Sequence, residues 1–123
     1  VTADANGVVK FDNGIQEEQI TITSSSNAAT LNLNDGTNFL HDLTENVTYT
    51  FSNPAASGYA SIFTLKVIQG SSARAITWPN SVDWVAATAP TLTASDNGVD
   101  YFVFITIDGG TTYYGFVAGQ ALA

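Results

Sequence analysis

Polar and apolar residues alternate along most of this chain with a period of two, the period of a strand with one buried face. In residues 19–24, Ile20 and Ile22 alternate with Thr21 and Thr23. In residues 29–34, Ala29, Leu31 and Leu33 alternate with Thr30 and Asn32. Residues 38–43 place Phe39, His41 and Leu43 on one face. Residues 47–52 set Val47, Tyr49 and Phe51 against Thr48 and Thr50, the pattern of a half-buried antiparallel strand. Residues 61–69 are apolar on both faces, with Phe63, Leu65 and Val67 opposite Ile62, Thr64, Lys66 and Ile68. That predicts a central strand. Residues 73–78, 101–107 and 113–118 add three more, the last two closed by Asp108-Gly109-Gly110 into an aromatic hairpin.

Turn residues punctuate these runs. Asn6-Gly7, Asn13-Gly14, Asp35-Gly36, Asn97-Gly98 and Asp108-Gly109 all tolerate positive φ. Asn53-Pro54, Trp78-Pro79 and Ala89-Pro90 hold the preceding residue extended. Turn signals recur every ~8–15 residues, the spacing of a sandwich or barrel. No window keeps a 3.6-residue period, and residues 14–18 are long enough for a single helical turn. No internal repeat emerges. The expectation is an all-β fold: an antiparallel, jelly-roll-like β-sandwich of roughly 8–10 short strands. Residues 1–18 are polar, with one short apolar run from Val8 to Phe11, and read as an extended N-terminal arm. Residues 19–123 form the sandwich domain.

Composition sharpens the class. The 123 residues suit one domain, and 45% are hydrophobic, enough for one core. Only 11% are charged, against the usual quarter, so Ser, Thr, Asn and Gly carry the polarity. Eleven acids face three bases (Lys10, Lys66, Arg74), a net charge of −8. That excludes a phosphate-backbone partner, which needs clustered Lys and Arg, and an anionic membrane surface. There is no cysteine, hence no disulfide framework and no thiolate chemistry.

Catalytic chemistry finds little to work with. A Ser–His–Asp triad would have to use His41, the only histidine, whose neighbour Asp42 points to the opposite face of the strand. No Gly-x-Ser-x-Gly elbow is present. Glu17, Glu18, Asp96, Asp100 and Asp108 are the carboxylates that a glycosidase pair would draw on, and they lie mostly in turns. Asp96, Asn97 and Asp100, or Asp35, offer clustered oxygens for calcium without EF-hand spacing. The expectation is a non-enzyme with no catalytic, cofactor or metal residues. Trp78, Trp84, Tyr101, Tyr113 and Tyr114 are the raw material of a sugar-stacking platform. A small domain needs such side chains for its core, and Trp78 and Trp84 are assigned there. Asn46-Val47-Thr48 matches a glycosylation sequon, a pattern with a high chance-match rate.

One ordered series of motifs carries a resemblance. It runs from Asn32-Leu33-Asn34-Asp35-Gly36-Thr37-Asn38-Phe39 through Thr50-Phe51-Ser52-Asn53-Pro54 and Phe63-Thr64-Leu65 to Ile76-Thr77-Trp78-Pro79, Trp84 and Ala89-Pro90-Thr91-Leu92-Thr93. It closes on Asp100-x-Phe102-x-Phe104 and Asp108-Gly109-Gly110-Thr111-Thr112-x-Tyr114-Gly115-Phe116. Over about residues 30–119 the chain resembles the C-terminal β-domains of bacteriophage tail-fibre and virion structural proteins, especially those of aquatic phages and cyanophages. The resemblance implies a virion location, an all-β module and a homotrimer, and it supplies no catalytic or ligand residues. As a self-contained chain, it fits a trimeric capsid cement or decoration protein bound to the major capsid protein. As a piece of a longer fibre, it fits a tip that contacts tail proteins and a host receptor or glycan.

Overall fold

The computed structural model describes residues 2–123. Within them the chain is almost wholly strand and turn. A small hairpin of β1 (Thr2–Ala3) and β2 (Val9–Lys10) comes first. Then the chain crosses back and forth between two sheets. β3 (Gln19–Ile22), β5 (Asn38–Asp42) and β7 (Ser61–Ile68) lie in the larger sheet; β4 (Ala28–Asn32), β6 (Val47–Ser52) and β8 (Ile76–Thr77) form the smaller one. Next come β9 (Val82–Asp83), a single 3-10 turn (Val85–Ala87), and the long hairpin of β10 (Val99–Thr106) and β11 (Tyr113–Leu122). The larger sheet has the order β3-β5-β7-β10-β11-β9, the smaller β4-β6-β8.

The pairing departs from the expected all-antiparallel, jelly-roll-like arrangement. β3, β5 and β7 run parallel, and so do β4, β6 and β8. Antiparallel pairing is confined to β7–β10, β10–β11 and the β1–β2 hairpin, while β9 joins β11 in parallel. The reason is the route of the chain. From β3 to β8 each strand is followed by one in the opposite sheet, so every return to a sheet along that stretch runs in the original direction. Three coils result: β3–β4, β5–β6 and β7–β8. The register steps from Gln19 to Asn38 and then from Asn38 to Thr64. These unequal steps mean the coils form a structural repeat without a sequence period.

The buried faces of the two sheets share one core. Phe39, Phe63, Leu65, Val67, Phe102 and Phe104 point inward from the larger sheet; Ala29, Leu31, Val47 and Tyr49 from the smaller. Leu31, Leu65, Phe102 and Phe104 are fully shielded from solvent, each such side chain stabilising by about 1.5–3 kcal/mol. Phe63 and Phe104 are register partners on β7 and β10 and stack at 5.2 Å. Phe51 enters from the smaller sheet and sets its edge against Phe63 (5.1 Å), Phe104 (5.0 Å) and Tyr113 (5.1 Å). Such edge-to-face contacts follow the ring quadrupoles and fix one packing among many.

Two polar side chains pin the loops at one end of the two sheets. Gln69 is buried directly after β7. Its Nε2 donates to the carbonyls of Arg74 and Thr93 (both 3.2 Å), and its Oε1 accepts from the Arg74 N–H at 2.9 Å. Asp100 is buried at the start of β10 and accepts from Thr93 N–H (2.7 Å), Thr93 Oγ1 (2.6 Å) and Ala121 N–H (3.1 Å). Residues 2–19 are exposed throughout. The Glu17 carboxylate holds their far end to the domain by accepting from Asn38 Nδ2 (2.6 Å) and from the Thr37 hydroxyl. The expected helical turn at residues 14–18 is not formed.

Candidate interaction surface

The side chains with possible chemistry are dispersed. His41 is buried on β5, and its Nδ1 and the Tyr49 hydroxyl share a 2.6 Å hydrogen bond across the core. Its Nε2 has no partner among the described residues. Burial holds the ring's pKa below its usual value, opposed by the charges of Asp42 and Glu45. Asp42 itself faces solvent on the other side of the strand. The carboxylates are likewise separate. Glu17 anchors the N-terminal segment, Glu18 and Asp96 are exposed, and Asp100 is the buried staple. Asp108 closes the β10–β11 turn. Its Oδ1 accepts from Thr112 N–H (2.9 Å) and Thr106 Oγ1 (3.0 Å), and the Thr112 bond, with smaller help from Thr106, holds its carboxyl below the ordinary range. No three His, Asp or Glu side chains among the described residues converge on a point fit for a metal ion. Asp35 accepts from Asn32 Nδ2 at 3.0 Å, and the sequon residue Asn46 accepts from Ala75 N–H at 2.9 Å.

The aromatics divide by face. Trp78 is buried, its ring centroid 5.0 Å from Phe102, 5.2 Å from Trp84 and 5.5 Å from Tyr49. Tyr113 is buried beneath the hairpin turn. Trp84 is half-buried and lies flat on β11, where residue 115 is glycine. A Cβ there would come within 2.8 Å of the indole Cζ3. Trp84 also forms the inner wall of a groove of about 570 Å³, completed by Val85, Pro90, Phe116 and Val117. Val85 is 86% exposed at its mouth, and the next two residues, Ala86 and Ala87, take left-handed φ of 53° and 54°. Non-glycine residues in that region are strained and persist where the surroundings hold them.

The outer face of the larger sheet is the other surface that stands out. Ile62, Ile105 and Tyr114 lie side by side across β7, β10 and β11, and Thr64, Val103 and Phe116 form the next row. Lys66 and Tyr101 form a third. Ile62, Tyr114 and Phe116 are exposed; Val103, Ile105, Lys66 and Tyr101 are half-buried. These three strands place no acidic side chain on that face, which is bounded by Asp42 on β5, the register partner of Ile68, and Asp83 on β9, the register partner of Tyr114, in a chain of net charge −8. The one ion pair among the described residues is Lys10–Asp12 at 3.1 Å, so Lys66 lies in this apolar field without a salt-bridge partner. Tyr101 and Tyr114, candidate ligand aromatics in the sequence, belong to the outer face of this sheet. The signal for it was the apolar outward set Ile62, Ile68, Val103 and Ile105, in strands already apolar inside.

Comparison with protein-family models, with curated proteins and with solved structures finds no match for this chain.

Proposed function

We propose that this chain is a non-enzymatic structural module of a bacteriophage virion, a trimeric cement or decoration protein that binds the major capsid protein and stabilises neighbouring subunits. The observation that carries this reading is the acid-free apolar face of β7, β10 and β11 on an otherwise acidic chain. Contiguous exposed apolar surface marks a protein contact, and aromatic residues with few carboxylates are the composition of an interface centre. A neighbouring copy is the occupant that this face suits: equally acidic surfaces repel each other everywhere except where acids are missing. The motif series from Asn32 to Phe116 adds the virion context. Residues 2–18, exposed and held through Glu17, serve as the arm that reaches an adjacent subunit. A ligand that binds only the assembled shell stabilises it by mass action.

The test is the copy number in purified particles together with their stability. Hundreds of copies per particle, and shells that open at lower temperature once the protein is stripped, fit a capsid role. Equal stability of stripped and intact shells removes it.

The groove beside Trp84 favours a second reading, a tail-fibre tip that binds a host surface receptor or glycan. Its volume of about 570 Å³ falls in the usual range for ligand sites, and a strained loop lines it. Purified domain would then compete with phage for adsorption, and Val85→Asp would abolish the competition. No competition at any concentration discards this reading.

A further inference from the structure

The first coil is left open. β3 is an outer strand of the larger sheet and β4 an outer strand of the smaller, so both sheets end on the same side at one coil. Neither strand carries the charges or prolines that guard many edges. β3 reads Gln-Ile-Thr-Ile and β4 Ala-Ala-Thr-Leu-Asn, with no charge and no proline. Such edges invite pairing. The opposite end is blunted, because β8 and β9 have two residues each and β9 ends on Asp83.

Hydrogen bonding shows which groups are free. On β4, the Asn27 carbonyl accepts from Thr48 and the Leu33 N–H donates to Ser52, both at 2.9 Å. Alternate residues of a parallel strand bond the same neighbour, so Ala29 and Leu31 also turn toward β6. Ala28, Thr30 and Asn32 turn away. Ala28 is used by Ser25, and the Asn32 carbonyl by Asp35. Thr30 keeps a free N–H and C=O. On β5, the Thr37 carbonyl and Leu43 N–H bond β7 (2.8 and 2.9 Å), which turns Leu40 toward β3. Leu40 is the register partner of Thr21, so it bridges Ile20 and Ile22. Thr21 keeps its own N–H and C=O pointing outward.

We propose that two copies of this chain pair through the open coil about a twofold axis, with Thr21 and Thr30 each opposite its own counterpart. The arrangement is self-complementary. Antiparallel pairing centred on Thr21 sets Ile20 opposite Ile22 on the core side; centred on Thr30, it sets Ala29 opposite Leu31. The central threonines form cross-strand Thr–Thr pairs on the solvent side, a favourable combination. Charge agrees. Glu18 falls beside Ser24 of the other copy, and Asp35 beside Ser25, so no acid meets its counterpart. Each copy contributes edges of only four and five residues, well short of a standard interface, so the pairing is weak and concentration-dependent. Because the far end is blunted, growth stops at the pair.

This contact is separate from the outer face assigned to the trimer, and the test separates them. Mass is measured by sedimentation from micromolar to millimolar concentration for the whole chain, for Thr21→Pro/Thr30→Pro and for Thr21→Glu/Thr30→Glu. The prolines remove donors that no other described strand uses; the glutamates set like charges against each other on the axis. Every protein in the series also carries Ile62→Glu/Phe116→Glu, so that the unit is a single chain and not a trimer with three open coils. The protein with unaltered edges is expected to double its mass as concentration rises. Both edge variants should then stay at the undoubled mass with unchanged circular dichroism. Thr21→Val/Thr30→Val should double like the protein with unaltered edges. The proposal is overturned by a protein with unaltered edges that never doubles, by doubling that survives in the folded Thr21→Glu/Thr30→Glu variant, or by open-ended growth.

Discussion

His41 and Tyr49 meet between the sheets, Nδ1 to hydroxyl at 2.6 Å, and neither reaches water. Burial is the larger influence on His41 and keeps it neutral in the fold. Its folded pKa lies below the unfolded value of about 6.5, so the unfolded chain binds the extra proton first. Stability is therefore expected to be flat above about pH 6.5 and to fall as pH drops from there toward the folded value. Burial pushes Tyr49 the other way, upward, so stability should fall again as pH rises past the ordinary phenol range near 10. Urea midpoints measured across pH check both limbs. His41→Phe should flatten the acid limb; an unchanged slope in that variant would mean that another group titrates.

Gly115→Ala brings a methyl to within 2.8 Å of the Trp84 ring. Overpacking of this kind costs about 1–3 kcal/mol. The expected readout is a lower denaturation midpoint together with a red-shifted tryptophan emission, as Trp84 is lifted from β11. A midpoint equal to the wild type would show that the indole moves aside freely.

Asp100 joins three parts of the chain through Thr93 and Ala121. Asp100→Ala leaves the Thr93 N–H and hydroxyl without their acceptor, while the Ala121 N–H keeps its 3.0 Å bond to Thr93 Oγ1. Hydrogen bonds to a charged group are worth about 1.5–3 kcal/mol each. A loss of at least ~2 kcal/mol is expected. Amide exchange should quicken at Thr93 and stay slow at Phe63 and Phe104. Uniform quickening would mean that the carboxylate supports the whole domain.

Ile62→Glu/Phe116→Glu puts two carboxylates on the outer sheet face without touching the core. If copies meet there, like charges brought together should weaken assembly about tenfold or more, equivalent to at least ~1.4 kcal/mol. Light scattering at rising concentration measures it. Thermal stability of the separated chains should change little, as for most surface substitutions.

Much of this was readable from side-chain alternation, and the failures have a common origin. Alternation locates β6, β7 and β10 and sets Val47, Tyr49 and Phe51 on one face of β6, but β7 and β10, apolar on both faces, leave open which side Phe63 and Phe104 take. It reports which side chains share a face and nothing of strand direction, so the parallel coils were hidden. Asp100 was read as a turn residue because the strand was started at Tyr101. Extending the inward set Phe102, Phe104 and Thr106 back by one step places it inside. The tight turn at Ser26 and Asn27, both with positive φ, has no glycine to announce it. β9 and the groove beside Trp84 depend on how the loop at residues 84–91 folds over Gly115, a long-range event with no local signature.

The strand order also sets a timetable. Coils β3–β4, β5–β6 and β7–β8 stack in the order in which a ribosome delivers them, so each can dock on its predecessor as it emerges. β7 then waits with one side bare until β10 arrives, although β10 is its longest pairing. During that interval Phe63 lacks the partner it stacks on, and its strand is an open invitation to another nascent chain. Rapid folding should therefore depend less on the coils than on how soon the β10–β11 hairpin closes at Asp108, a local step that needs no other part of the molecule.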